Sequence, residues 1–433
     1  MRECTVMKNT KNIKSIQIWL FIGLLAILFL VWIILNIYGK PEEQYGTFFD
    51  KGNNYMADLF NVMYYSKDRA PYVSTINDMA EKAYYPLSYV ICYILAAISN
   101  LNWYLETEGG LMYNGRVQSL DSMPIVLGVF FICILLVLAA WTIYEFIEGR
   151  RLKKLILTAS MMLSGVMMFT YERGNLILLA LSGMVLFLLT YESEVKWLRE
   201  IGYLGLAVAG ALKGYPAILG IILIYRHEWK EVVRLVIYGV VMAFGPFLLL
   251  KGGFSNIPIW LDNLHQNSEF YMFLKQQRLG YLYFISCMED ASREDMAAVY
   301  NIWKPIIACV GIYAIATSLF QSKRWLQVCT LLTFILIYPS NSGYYCLIYL
   351  IPVIIMYLNE KDVSWKDLIY LPIFVVLMTP LQWIRHESNY TIWLDNILIM
   401  ALLGICLIDN TVCMIRCIRN RSFVETIKKG NTN

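Results

Sequence analysis

Apolar runs of about twenty residues recur along almost the whole chain, separated by short polar breaks. Twenty helical residues rise about 30 Å, the thickness of a bilayer core, so such runs read as membrane-crossing helices. The runs are continuous rather than alternating, which argues against a β-barrel. The pattern predicts an all-α polytopic membrane protein with roughly 11–13 transmembrane helices. Spans are expected at 16–38, 124–145, 154–171, 175–191, 201–213, 215–225, 233–250, 304–321, 325–338, 343–358, 367–384 and 392–410. Two long stretches interrupt them, 39–123 and 252–303, and surface-lying helices are expected in the first. The chain reads as a single transmembrane domain over 1–433.

Two segments depart from a simple alternation. Tyr85–Trp103 is apolar enough to cross, yet a crossing there reverses the side of every later loop. Either it re-enters, or part of 104–123 forms a second short crossing; a re-entrant or surface-lying helix is the expectation. The arms at 201–213 and 215–225 are each too short to span about 30 Å. They predict a broken hairpin meeting at Lys213-Gly214-Tyr215-Pro216, buried in the bundle or lining a cavity.

Composition agrees with the pattern. Residues are 58% hydrophobic and 16% charged, against about a quarter charged in soluble domains, and the mean hydropathy is +0.54. The first run, Ile16 to Ile37, is too long for a signal-peptide core and is read as a retained helix. The net charge of +4 says less than its distribution. Basic clusters occur at Arg2 to Lys14, Arg150 to Lys154, Lys196/Arg199, Arg226 to Arg234, Lys323/Arg324, Lys361/Lys366 and Arg416 to Lys429. Short cytoplasmic loops are enriched in Lys and Arg, and the spans above put every cluster on one side. The N-terminus is therefore expected in the cytoplasm of a multi-pass plasma-membrane protein. The ten cysteines are scattered without a regular spacing, so neither a disulfide framework nor a metal site is expected. Nothing points to nucleic acid, and the pattern sets no oligomeric state.

Polar residues then concentrate on the opposite, outer side. The stretch MMFTYERGNLILL (167–179) places Glu172, Arg173 and Asn175 between two apolar runs with almost no loop. Lys213 lies at the hairpin seam. A charge at mid-bilayer costs at least about 2.5–3.5 kcal/mol, so an embedded one suggests function. Arg and Lys at these seams suit a phosphate, although Glu172 and Arg173 could also simply pair with each other at the water interface. In the first long loop, Met56–Tyr65 has the pattern of an amphipathic helix on the membrane surface. Asp58 and Asn61 share one face of it, and a carboxylate held there could act as a general base. Gly174 allows a tight turn and Asn175 can cap the helix that follows. The second long stretch interleaves Asp262, Asn263, His265 and Gln266 with aromatics, as a sugar-binding surface does and as an ordinary interfacial helix also does. Metalloprotease, P-loop, serine-esterase and dinucleotide-binding signatures are absent.

Four features, taken in order, resemble a known group. Asp58-Leu59-Phe60-Asn61 gives an acid in an Asp-aromatic-Asn context; Tyr85-Pro86 opens an apolar helix; Arg173-Gly174-Asn175 leads into Leu176-Ile177-Leu178-Leu179. The fourth is the most specific: Ala207 to Leu212, Lys213-Gly214-Tyr215-Pro216, an apolar helix, then Arg226-His227-Glu228-Trp229-Lys230. Over about 45–250 the chain resembles the polytopic C-type glycosyltransferases that use polyprenyl-phosphate sugars, in the bacterial α-mannosyltransferase branch. One departure is visible: Pro339-Ser340-Asn341-Ser342-Gly343-Tyr344-Tyr345 has Tyr where much of that branch has His.

The resemblance implies inverting transfer of a hexose, mannose-like, from a polyprenyl-phosphate donor to a lipid- or glycan-linked acceptor hydroxyl at the outer face. It implies Asp58 as general base and Arg173 and Lys213 on the donor phosphate, with no metal or other cofactor. Asn61, Glu172, Asn175 and Tyr215 become candidates for substrate binding, as do His265, Asn341, Tyr344 and Tyr345. Glu172 is expected to position Arg173 rather than to react. A transporter or flippase for lipid-linked sugars, or an oligosaccharide polymerase or ligase, are the alternatives; broken helices and buried charges also mark transporters, but no internal repeat relates the two halves.

Overall fold

A computed structural model describes residues 2–38, 56–73, 82–99, 122–272, 279–288, 291–339, 342–379 and 390–419. Among them are seventeen α-helices with short 3₁₀ turns and no β-strand. The first nine are α1 (Arg2–Tyr38), α2 (Ala57–Ser66), α3 (Pro86–Ala97), α4 (Ser122–Phe146), α5 (Arg151–Met162), α6 (Gly165–Arg173), α7 (Ile177–Thr190), α8 (Lys196–Lys213) and α9 (Ile221–Tyr225). The others are α10 (Trp229–Phe244), α11 (Asn256–Met272), α12 (Tyr281–Ser286), α13 (Arg293–Ser318), α14 (Arg324–Ile337), α15 (Ile351–Asn359), α16 (Tyr370–Met378) and α17 (Tyr390–Arg419).

Among the described residues, four stretches are long and apolar enough to cross a membrane alone: Ile125–Phe146, Trp229–Leu249, Arg293–Ser318 and Trp393–Arg419. A fifth arises if α5 and α6 form one span broken at Leu163-Ser164. Six further apolar helical stretches among the described residues run for 10–17 residues, one of them inside α1. The protein is a multi-pass, all-α membrane protein.

The helices correct the expected boundaries at several points. The first arm of the hairpin is not 13 residues but the 18 of α8, which rises about 27 Å. The second arm is the 3₁₀ turn Tyr215–Gly220 followed by α9. Helix α13 starts at Arg293, well before 304, because Ser292 and Asp295 form a capping box: Asp295 N donates to Ser292 Oγ (3.1 Å) and Ser292 N to Asp295 Oδ2 (3.0 Å). In Tyr85–Trp103 the helix α3 has 12 residues, about 18 Å, with Pro86 at its first turn where a missing N–H costs nothing. Helix α2 is seated more deeply than a surface-lying helix requires: all of its residues are buried except Asp58 and Asn61.

The chain forms two compact units, each from separate pieces. One comprises Met1–Phe48, Tyr144–Met168 and Lys275–Asn433; the other comprises Phe49–Ile143 and Phe169–Leu274. In the first, Trp325 packs edge-to-face on Tyr357 and Tyr370, and Lys323 Nζ pairs with Asp367 (2.5 Å). In the second, α7 and α8 form an antiparallel pair whose backbones nearly touch. A Cβ on Gly183 would fall on the Gly205 carbonyl, and one on Gly205 would lie 3.0 Å from the Gly183 oxygen. Small residues permit that approach. From this contact α7 runs back six residues to Ile177, about 9 Å, and α8 runs on eight residues to Lys213, about 12 Å. The start of α7 and the end of α8 therefore lie at one end of the unit.

Candidate active site

The first turn of α2 docks onto the turn between α6 and α7. Gly174 adopts φ 62°, a left-handed conformation that suits glycine. A Cβ there would lie 3.0 Å from Met56 Cα and 3.2 Å from Leu59 Cβ. Met56, also left-handed (φ 52°), donates its N–H to the Glu172 carbonyl at 2.6 Å. This docking brings Asp58, in the first turn of α2, onto two side chains of the turn. Arg173 Nη2 donates to Asp58 Oδ1 and Asn175 Nδ2 donates to Oδ2, both at 2.6 Å. Asn175 Oδ1 accepts from Ile177 N (3.0 Å), which fixes which end of the amide faces Asp58. Asn175 lies two residues before α7 starts at Ile177, with Leu176 in the cap position, so Asn175 supports α7 through a turn and not as its cap residue.

The trio is partly sheltered. Asp58 and Arg173 side chains are 11% and 25% exposed, and Asn175 is 2% exposed. Each carboxylate oxygen has a second lone pair beyond the bond described, so the group can still accept a hydroxyl proton. The face on which it could do so is the one shared with Asn61 at i, i+3, the part of α2 that is not buried.

Lys213 is held at the same end of the unit by other contacts. It occupies the last turn of α8, as Arg173 occupies the last turn of α6. Both cations face the carbonyl end of a helix, where the backbone dipole favours positive charge. Both are followed by a positive-φ glycine: Gly214 has φ 70°. The Gly214 backbone passes so close to the Tyr85 hydroxyl that any side chain at 214 would strike it. Lys213 Nζ stands over the Tyr84 ring, 5.1 Å from its centroid. Tyr215, half-buried, opens the 3₁₀ turn that follows.

The other expected residues are placed as follows. Glu172 is 2% exposed, and its neighbour Arg173 makes an ion pair with Asp58. His265 is 69% exposed on α11 and faces Glu269 at 3.4 Å. Tyr344, buried, and Tyr345, half-buried, belong to the other unit. Asn341 lies outside the described residues. No group of three metal-ligating side chains occurs among the described residues. The sequence does not single out Tyr84 as a partner of Lys213, since the run Ala83-Tyr84-Tyr85-Pro86 presents it as one of many aromatics.

Comparison with known protein families matches residues 117–339 to the model of glycosyltransferase family 87. The match covers more than half of the chain and includes Arg173, Asn175 and Lys213; it begins after Asp58. No curated protein matches. With a helical multi-pass fold and a matched segment of that length, the chain belongs to glycosyltransferase family 87 and is a membrane glycosyltransferase.

Proposed function

We propose that the protein transfers a hexose, mannose-like, from a polyprenyl-phosphate donor to a hydroxyl of a lipid- or glycan-linked acceptor, with inversion, at the outer face of the cell membrane. The observation that carries this reading is the Asp58–Arg173–Asn175 trio. The acceptor hydroxyl gives its proton to Asp58 as its oxygen bonds to the anomeric carbon. The bond from that carbon to the phosphate oxygen breaks on the opposite face, and polyprenyl phosphate departs. Protonation removes the charge that Arg173 was paired with, just as negative charge builds on the leaving phosphate. Arg173 and Lys213 are then the cations available to it. Asn175 holds the carboxylate orientation, and Asn61 lies beside it for the acceptor. Neither a metal nor another cofactor enters this scheme.

The test is transfer by the purified protein in nanodiscs from a synthetic polyprenyl-phosphate hexose. Asp58→Asn should lower kcat by about 10²–10⁴-fold, the usual contribution of a general base, while the protein stays monodisperse. An unchanged rate in that variant removes the assignment. Movement of donor across vesicles without transfer favours a transporter instead.

A further inference from the structure

Helix α11 grips the segment that carries Tyr84 and Tyr85, and does so through backbone carbonyls. Asn263 is fully buried, and its Nδ2 donates to the carbonyls of Tyr72 and Lys82, each at 3.3 Å. An amide nitrogen has two N–H groups, so one side chain can satisfy both oxygens. Three residues earlier on the same face, Trp260 Nε1 donates to the Ala83 carbonyl (3.4 Å), and its ring meets Tyr85 edge-to-face at 5.2 Å. The Tyr72 hydroxyl donates to the Tyr84 carbonyl at 3.1 Å. Three successive carbonyls, Lys82 to Tyr84, are thus held by donors from outside the segment. What they hold in place is the Tyr84 ring under Lys213 Nζ and the Tyr85 hydroxyl against the Gly214 backbone.

We infer that Asn263, supported by Trp260, is a positioning residue for Lys213. It acts through residues 82–85 and touches neither substrate nor the Asp58 trio. The inference rests on the reading of Lys213 as a contact of the donor phosphate. A Leu at 263 keeps approximate size but supplies no N–H, so two buried carbonyls lose their donors and the segment shifts to find others. The Lys213 ammonium then loses its seat on Tyr84.

The experiment uses the full-length protein in nanodiscs and has two readouts. Tyr84→Cys and Lys213→Cys are bridged with a short bifunctional thiol reagent and mapped by peptide mass spectrometry, with Asn263 intact or changed to Leu. Crosslinking is expected with Asn263 and should fall to background in Asn263→Leu. In the otherwise native chain, Asn263→Leu should lower kcat/KM for a synthetic polyprenyl-phosphate hexose about tenfold. In a Lys213→Gln background the same change should cost less than about twofold, because coupled residues are not additive. Undiminished crosslinking overturns the inference whatever the activity. Equal losses with and without Lys213 overturn it as well, since a general structural defect multiplies. Wild-type transfer by Lys213→Gln would instead remove the donor-phosphate role of Lys213, and crosslinking alone then decides the positioning. Should Asn263→Leu not fold, Trp260→Phe removes one donor and keeps the aromatic contact. Partial loss of the crosslink is then expected, and no loss overturns the inference.

Discussion

Asp58 sits between a guanidinium and an amide, and the two partners do different work. Arg173 supplies charge, Asn175 supplies orientation. Arg173→Ala leaves a sheltered carboxylate without its cation and should cost about 1–3 kcal/mol, seen as a lower Tm in detergent. Arg173→Lys should recover most of that stability but not the transfer rate, because a flexible ammonium does not reproduce the planar fork. An unchanged Tm in Arg173→Ala would sink the claim that the pair holds α2 in place. Tyr64, on the same helix, offers a pH test. Burial, with Asp68 nearby, pushes its phenol from 10.0 up to about 12. Above pH 10 the unfolded chain releases this proton while the folded chain keeps it, so stability falls as pH rises toward 12 and is intact below 10. The loss of Tm over that window should be shallower in Tyr64→Phe; an identical slope would show that Tyr64 does not contribute.

At the level of elements, the α7–α8 pair determines where the two cationic turns emerge. Gly183→Leu drives a side chain into the Gly205 carbonyl, forcing the helices apart. Overpacking of this kind costs about 1–3 kcal/mol, and displacement of the Lys213 turn should lower donor affinity beyond the effect on Tm. A variant with native Tm and native KM would show that the close approach is not needed. The same pair explains why one boundary could not be read from hydropathy. The first five residues of α8 include Lys196, Arg199 and Glu200, which end any apolar window. In the fold Glu200 accepts from Arg234 Nη1 and from the Tyr238 hydroxyl of α10, each at 2.7 Å, so a charged turn continues the helix. The start of α13 was legible in Ser292-Arg293-Glu294-Asp295, a capping signature that the apolar pattern overshadowed.

Across the molecule, fold class and the polar seams follow from local pattern, since runs of apolar residues and positive-φ glycines act over a few positions. Pairings do not. Arg173 has Glu172 beside it in the chain, and nothing local marks Asp58, in another stretch altogether, as a partner. Asn263 looked like one polar residue among several on a helix such as His265 also occupies, and only the fold shows which of them faces backbone carbonyls. Apolar and polar periodicity gives the face of a helix; it does not say which distant segment that face meets. The deep seat of α2 is a case in point, because its apolar residues fit a lipid surface as well as a protein interior.

The separation between Asp58 and its partners also has a consequence in time. Asp58 precedes Arg173 by 115 residues and Asn175 by 117. At a synthesis rate of about 5–20 residues per second, the carboxylate exists for roughly 6–23 s before the arginine is even made. During that interval α2 has neither its ion pair nor the Glu172 carbonyl that anchors Met56. The helix that carries the proposed base can therefore take its final seat only after the ribosome has passed the 172–175 turn, so completion of the trio is a late event in the biogenesis of this unit.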